Sequence, residues 1–248
     1  MKKSLLIFVL VSFFLSGCAK EKHLTLPKGQ LIVFASQQGE PSWDGVSKES
    51  KNSPFTVALL ENLNKQEDIN FVLRKVRQQV LDLTKQKQQP VAYDSFTDGS
   101  LVLATINTNY PKKLSLHAFV IGNSNYKTIS KLSNPENDAN AISELLTKFN
   151  FSVTKSIDRN KTQFLADISN FQKTAKDADI TIFFYAGHGV QIEGRNYLMP
   201  LDVSGNSESS IKEGGISLQE IIEKFPGNTK LFFIDADSDN PFASKSVR

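Results

Sequence analysis

His188 is the residue best placed to do chemistry. It lies in Ala186-Gly187-His188-Gly189, directly after the apolar run Ile180-Thr181-Ile182-Phe183-Phe184-Tyr185. Glycines on both sides let a backbone approach a substrate closely and leave the ring uncovered. Imidazole exchanges a proton near neutral pH, which suits general acid–base work. The other two histidines have plainer settings, His23 in a polar stretch near the N-terminus and His117 at the start of an apolar run. A second cluster, Asp235-Ala236-Asp237-Ser238-Asp239-Asn240, follows the apolar run Leu231-Phe232-Phe233-Ile234. Acids at alternate positions open a calcium loop, but Asn240 stands where the glycine belongs and Ser246 where the final acid belongs, so no such loop is expected and no metal is assigned. A weaker divalent site from the three carboxylates is the remaining metal reading. Ser238 is a hydroxyl that would need to reach His188 to serve as a nucleophile. The sequence has 1 cysteine, Cys18, which excludes an internal disulfide and a four-thiolate zinc site.

That cysteine belongs to an address. Lys2 and Lys3 precede an apolar run from Leu5 through Leu15, too short to span a bilayer comfortably and laid out like a secretory signal. The run ends in Leu15-Ser16-Gly17-Cys18, which resembles a bacterial lipobox, in which the cysteine is acylated and becomes the first residue after cleavage. Residues 1–17 are therefore expected to be a lipoprotein signal peptide, and residues 18–29 a lipidated cysteine and tether. Several acyl chains anchor durably, each buried methylene adding about 0.8 kcal/mol. The implied location is the bacterial cell envelope, with Ala19 after the cysteine favouring the outer membrane, facing the periplasm. Removing residues 1–17, which hold Lys2 and Lys3 and no acid, lowers the formal net charge from +3 to +1. Near balance argues against nucleic-acid binding driven by bulk charge. At 40% hydrophobic and 22% charged residues, the 248-residue sequence describes a globular chain.

The elements that must position His188 and the acids alternate between types. Leu31–Ala35 reads as a buried strand, and residues 36–51 as a loop. Asn52-Ser53-Pro54 opens a helix, a polar cap before proline. Asp68 caps a second helix, with Ile69, Val72, Leu73, Val76, Val80 and Leu83 at helical spacing. Leu101–Ala104 reads as a strand and 106–115 as a connector. A second block has a strand at 117–122, a helix over about 137–149, a helix capped by Asn160, the strand 180–185, a helix from Ser217 with Glu220 as a capping box, and the strand 231–234. Unbroken apolar strands alternating with helices predict a mainly parallel sheet covered on both faces, with ligands meeting the loops at the strands' carboxyl ends.

A family resemblance rests on segments of both blocks. In residues 117–242 these are Ala118–Tyr126, Leu132–Ala139, Tyr185–Gln191, Asn196–Pro200 and Ile234–Phe242. They resemble the large-subunit half of the caspase and metacaspase peptidases. Ile32–Ser36, Asp44-Gly45, Asn52–Thr56 and Val72–Arg77 resemble the small-subunit half. The resemblance implies an α/β, three-layer αβα caspase-like fold. It makes residues 30–105 the small-subunit-like half, 106–116 a connector and 117–248 the large-subunit-like half, with 30–248 one domain.

Two departures shape the functional expectation. The halves stand in reversed order, which suggests circular permutation; a fragment of a tandem array, or halves pairing between chains, are the alternatives. In addition, the family's cysteine nucleophile corresponds to Asp237. A carboxylate is a poor substitute for a thiolate, because its adduct with an amide would expel carboxylate more readily than amine. His188 keeps the family position without the family's partner. By the same resemblance Asp235 helps form a pocket for arginine or lysine, with Asp44 contributing from the other half; Trp43 lines the cleft or covers an edge. The expected function is that of an inactive, membrane-anchored caspase-like protein that binds a peptide or protein partner and needs no cofactor. The alternative is an active hydrolase cleaving after arginine or lysine through Ser238 or a partner's cysteine.

Overall fold

The computed structural model describes residues 28–38, 40–97, 99–106 and 113–237, with Asp237 described by its backbone. The signal, Cys18, most of the tether, the centre of the connector, Ser238 and Asp239 lie outside the described residues. The first block contributes β1 (Gln30–Phe34), α1 (Pro54–Asn62), α2 (Ile69–Leu83) and β2 (Val91–Asp94). The second contributes β3 (Leu116–Gly122), α3 (Pro135–Lys148), β4 (Ser152–Ile157), α4 (Lys161–Thr174), β5 (Ile180–Ile192), β6 (Arg195–Leu198), α5 (Glu208–Gly214), β7 (Ile216–Ser217), α6 (Leu218–Lys224) and β8 (Thr229–Asp237).

Both blocks build one sheet, in the order β2-β1-β8-β5-β3-β4. β1 lies parallel to β8, with Leu31 opposite Leu231 and Phe34 opposite Ile234, and only β2 at the edge of this path runs antiparallel. The apolar runs are unbroken because alternate residues enter different cores. Leu31, Val33, Ala118, Val120, Ile182, Phe184, Leu231 and Phe233 pack with α1, α2 and α3 on one face. Ile32, Phe119, Ile121, Phe183, Tyr185, Phe232 and Ile234 pack with α4 and α6 on the other. The result is the expected three-layer αβα arrangement with a mostly parallel sheet. Among the described residues, no helix is long and apolar enough to cross a membrane.

Local signals set the helix starts. Ser53 caps α1 by accepting from the Thr56 N–H, with proline first in the helix. Asp68 caps α2, and Asn160 makes a full capping box with Gln163 on α4. Ser217 caps α6 by accepting from the Glu220 N–H, which is one half of the expected capping box. Leu83 departs from its expected place in the core and is 37% exposed.

Three expectations need correction. Leu101–Ala104 is not a strand: residues Leu103–Thr105 form a single 3₁₀ turn. β2 already occupies the hydrogen-bonding edge of β1, and Leu101 donates its N–H to the Asp68 carboxylate and accepts from the Ile69 N–H at the start of α2. Residues 186–189 are not a loop but part of β5, which continues past the main sheet to pair with β6 from Gly189 to Ile192. Residues 235–237 likewise continue β8, still paired with β5. Nothing in the sequence pattern announced β2 and β4, because their sequences VAYD and SVTKSI are polar and belong to half-exposed edge strands.

Candidate functional site

The site forms where β5 and β8 outrun the sheet's core. Their register sets Ala186 opposite Asp235 and His188 opposite Asp237. The two positions singled out in sequence are thus neighbours across adjacent parallel strands.

His188 is held by a tyrosine network. Its backbone N–H donates to the Tyr126 hydroxyl at 2.8 Å, and its carbonyl accepts from the Tyr185 hydroxyl at 2.6 Å. The two tyrosine oxygens lie 3.3 Å apart, and Tyr185 also accepts from the Met199 N–H. Both rings are buried, and burial pushes both phenols up, so they stay neutral and available as donors. Gly187 makes the approach feasible. Its φ is +154°, and a Cβ there would stand 2.6 Å from the Tyr126 hydroxyl and 2.7 Å from that of Tyr185. The imidazole is half-buried against the Tyr126 ring, with centroids 4.7 Å apart. Its Nε2 lies 2.8 Å from the Ser130 carbonyl oxygen. A carbonyl can only accept, so Nε2 carries the proton and Nδ1 is the basic atom of the neutral ring.

The acids converge on the same place from three elements. Asp235 is 7% exposed; its Oδ1 accepts from the Ser42 hydroxyl at 2.8 Å and its Oδ2 accepts from the Ser53 hydroxyl. Ser53 therefore caps α1 and binds Asp235 with one hydroxyl. Burial pushes the Asp235 carboxyl up to about 6, with the Asp44 charge adding to the rise and the two serine bonds opposing it. Asp138, in the first turn of α3, is 1% exposed and accepts from Asn52 Nδ2 at 2.8 Å and from the Ser53 N–H at 3.1 Å. Burial and the Asp235 charge push it well up. Asp44 also braces the second block. Its carboxylate accepts from the Ser133 and Asn134 N–H groups, at 2.6 and 3.0 Å, and so holds the start of α3.

Asp44, Asp138, His188 and Asp235 line one cavity of about 60 Å³, with Trp43 at its wall. A wider depression of about 490 Å³, lined by Trp43, Asp44, Lys48 and Asn134 among others, adjoins it through Trp43 and Asp44. The structure thus brings His188, Asp235 and Asp44 together and places Asp237 beside His188 by register. Trp43 lines the cleft. Sequence reasoning missed Asp138. Its one signal was an acid in Asn134-Pro135-Glu136-Asn137-Asp138-Ala139, which an ordinary helix start explains equally well. Among the described residues, no group of three or more metal-binding side chains is assembled.

A three-layer αβα domain carrying a histidine and a buried aspartate where adjacent parallel strands run past the core is the architecture of a caspase-like domain. The family model for the caspase domain matches residues 16–100 and 115–246, and the chain belongs to that family. It is similar to the human mucosa-associated lymphoid tissue lymphoma translocation protein 1, 26% identical over 116 residues. That match takes in 47% of this chain and 14% of the human protein. A crystal structure of protein GSU0716 from Geobacter sulfurreducens aligns with 48% of this chain and 49% of its own at 18% identity and a TM-score of 0.37.

Proposed function

We propose that this chain is a caspase-fold pseudoprotease that receives an arginine or lysine side chain of a peptide or protein partner and does not cut the backbone beside it. The observation that carries the reading is the pairing of His188 with Asp237, an aspartate at the position that resembles the family's cysteine, next to an otherwise assembled cleft. The thiolate step has no donor there: a carboxylate that attacked an amide would be expelled in preference to the amine. Recognition has what it needs. The cavity wall carries Asp44, Asp138 and Asp235 and no lysine or arginine, so a cation complements it. Trp43 adds an aromatic ring to the wall, and that ring already carries the Lys87 ammonium 6.0 Å from its centroid, the kind of contact a second cation on its other face would make.

Two further parts of the reading concern the chain as a whole. The two blocks are a circular permutation of the family order, with residues 106–116 joining the family's usual ends. Support comes from β1 of the first block lying parallel and in register with β8 of the second. Acylated Cys18 tethers the domain to the bilayer of a bacterial cell envelope, where it meets its partner. A Cys18→Ser chain that stays in the membrane fraction would refute the tether.

The deciding experiment incubates the purified full chain with blocked peptides containing arginine or lysine. Binding without cleavage is expected, with alanine peptides binding weakly. Cleavage that disappears in His188→Ala would end the pseudoprotease reading, and the same assay on Ser238→Ala would then identify a hydroxyl nucleophile.

A further inference from the structure

Asp138 and Asp235 face one cavity from α3 and β8, and Ser53 bridges them, its N–H on Asp138 and its hydroxyl on Asp235. No lysine or arginine lines the cavity that holds the pair. The loop before α1 presents Asp44, a further negative charge, and the uncharged cap Ser53, and α1 itself presents the uncharged Thr56. β5 presents His188, whose Nε2–H is already committed to Ser130. On α3, the neighbouring Glu136 is exposed. None of the salt bridges among the described residues involves either acid. The Thr56 hydroxyl is fully buried and faces both carboxyls, on each of which it acts as a donor that lowers the pKa. Two carboxylates buried together without a counter-ion cannot both be ionised cheaply.

We infer that the Asp138–Asp235 pair shares one proton in the ligand-free protein and releases it to solvent when a guanidinium or ammonium group enters the cavity. The inference rests on the basic-segment reading above and adds a regulation to it: capture of the partner is proton-linked. The charges balance. Before binding, two carboxyls and one proton carry a single negative charge. After binding, two carboxylates and one bound cation carry the same. The bond that breaks is a carboxyl O–H, and the proton leaves with the buffer. Both acids are raised by burial above all, with Asp235 adding to Asp138 and Asp44 adding to Asp235, which is the direction this exchange requires. The hydrogen bonds from Ser42, Ser53 and Asn52 keep the pair in place in either state. Affinity for the basic segment then rises with pH, by up to about tenfold per unit while the pair still holds its proton.

Titration calorimetry of the full chain with acetyl-Ala-Ala-Arg-amide, in buffers of different ionisation enthalpy at neutral pH, tests the exchange. The expected result is release of about one proton per peptide, falling toward zero in Asp138→Asn; if that variant does not fold, Asp235→Asn serves the same purpose. Infrared difference spectroscopy of the ligand-free chain adds a readout that needs no peptide: a protonated-carboxyl C=O stretch in the wild type, absent from the variant. Peptide heat that does not depend on the buffer, or no such stretch at neutral pH, overturns the shared proton while leaving the binding reading intact. No heat with any arginine or lysine peptide overturns the binding reading and this inference with it.

Discussion

Replacing Asp235 by asparagine isolates the cost of burying that charge. The carboxyl rises from 3.8 to about 6 on folding, and burial is the largest cause. A raised acid binds its proton more tightly in the folded chain than in the unfolded one. Its contribution to stability is therefore complete below the unfolded value and is lost as pH climbs through the folded one. A rise of about two pKa units corresponds to about 3 kcal/mol. Asparagine has the same shape and cannot ionise. Any change in its bonds to Ser42 and Ser53 is constant with pH and cancels when the two proteins are compared across pH. Between about pH 3.5 and about pH 7.5, the stability of Asp235→Asn relative to wild type is expected to improve by about 3 kcal/mol. Coupling acts in the same direction, because removing the Asp235 charge makes Asp138 easier to ionise. Urea unfolding followed by the fluorescence of Trp43, the 1 tryptophan of the sequence, measures the curves. Two parallel curves, with a difference constant to within about half a kcal/mol, would refute the reasoning.

Gly187→Ala should cost about 3 kcal/mol, because the new methyl meets both tyrosine hydroxyls at a φ that side chains rarely adopt; a thermal melt within a degree of wild type would contradict this. Asp237→Cys should gain cleavage after arginine, lost again in the His188→Ala double variant, and an inert, folded Asp237→Cys would mean that the cleft is not assembled for attack. Phe183→Ala should lose about 3–5 kcal/mol in denaturant unfolding, since the ring is fully buried among Phe119, Phe225 and Phe232. Asn160→Ala should lose about 1 kcal/mol by removing the cap and its reciprocal Gln163 bond on α4.

Much of the fold was written locally. Ser53-Pro54, Asp68, Asn160 and Ser217 start helices by satisfying the first free N–H groups, a matter of a few adjacent residues. The runs 31–34, 118–121, 180–185 and 231–234 announce doubly covered strands, because each successive residue enters an opposite apolar core. Strand ends were less legible. Gly187-His188-Gly189 looks like a turn, yet β8 pairs with Gly187 and His188 and β6 with Gly189, which keeps it extended, and Leu101–Ala104 looks like a strand, yet β2 has taken its edge.

His188, Asp235 and Asp237 were legible as chemically apt residues beside apolar runs, since residue type and strand position are properties of the chain itself. What the tertiary structure decided is the electrostatic state of Asp235. Asp138 and Asp44 reach Asp235 from separate elements, and Ser42 and Ser53 reach it from the other block. Charge interaction and desolvation depend on distance and burial in space. Those quantities exist only once the two blocks share one sheet.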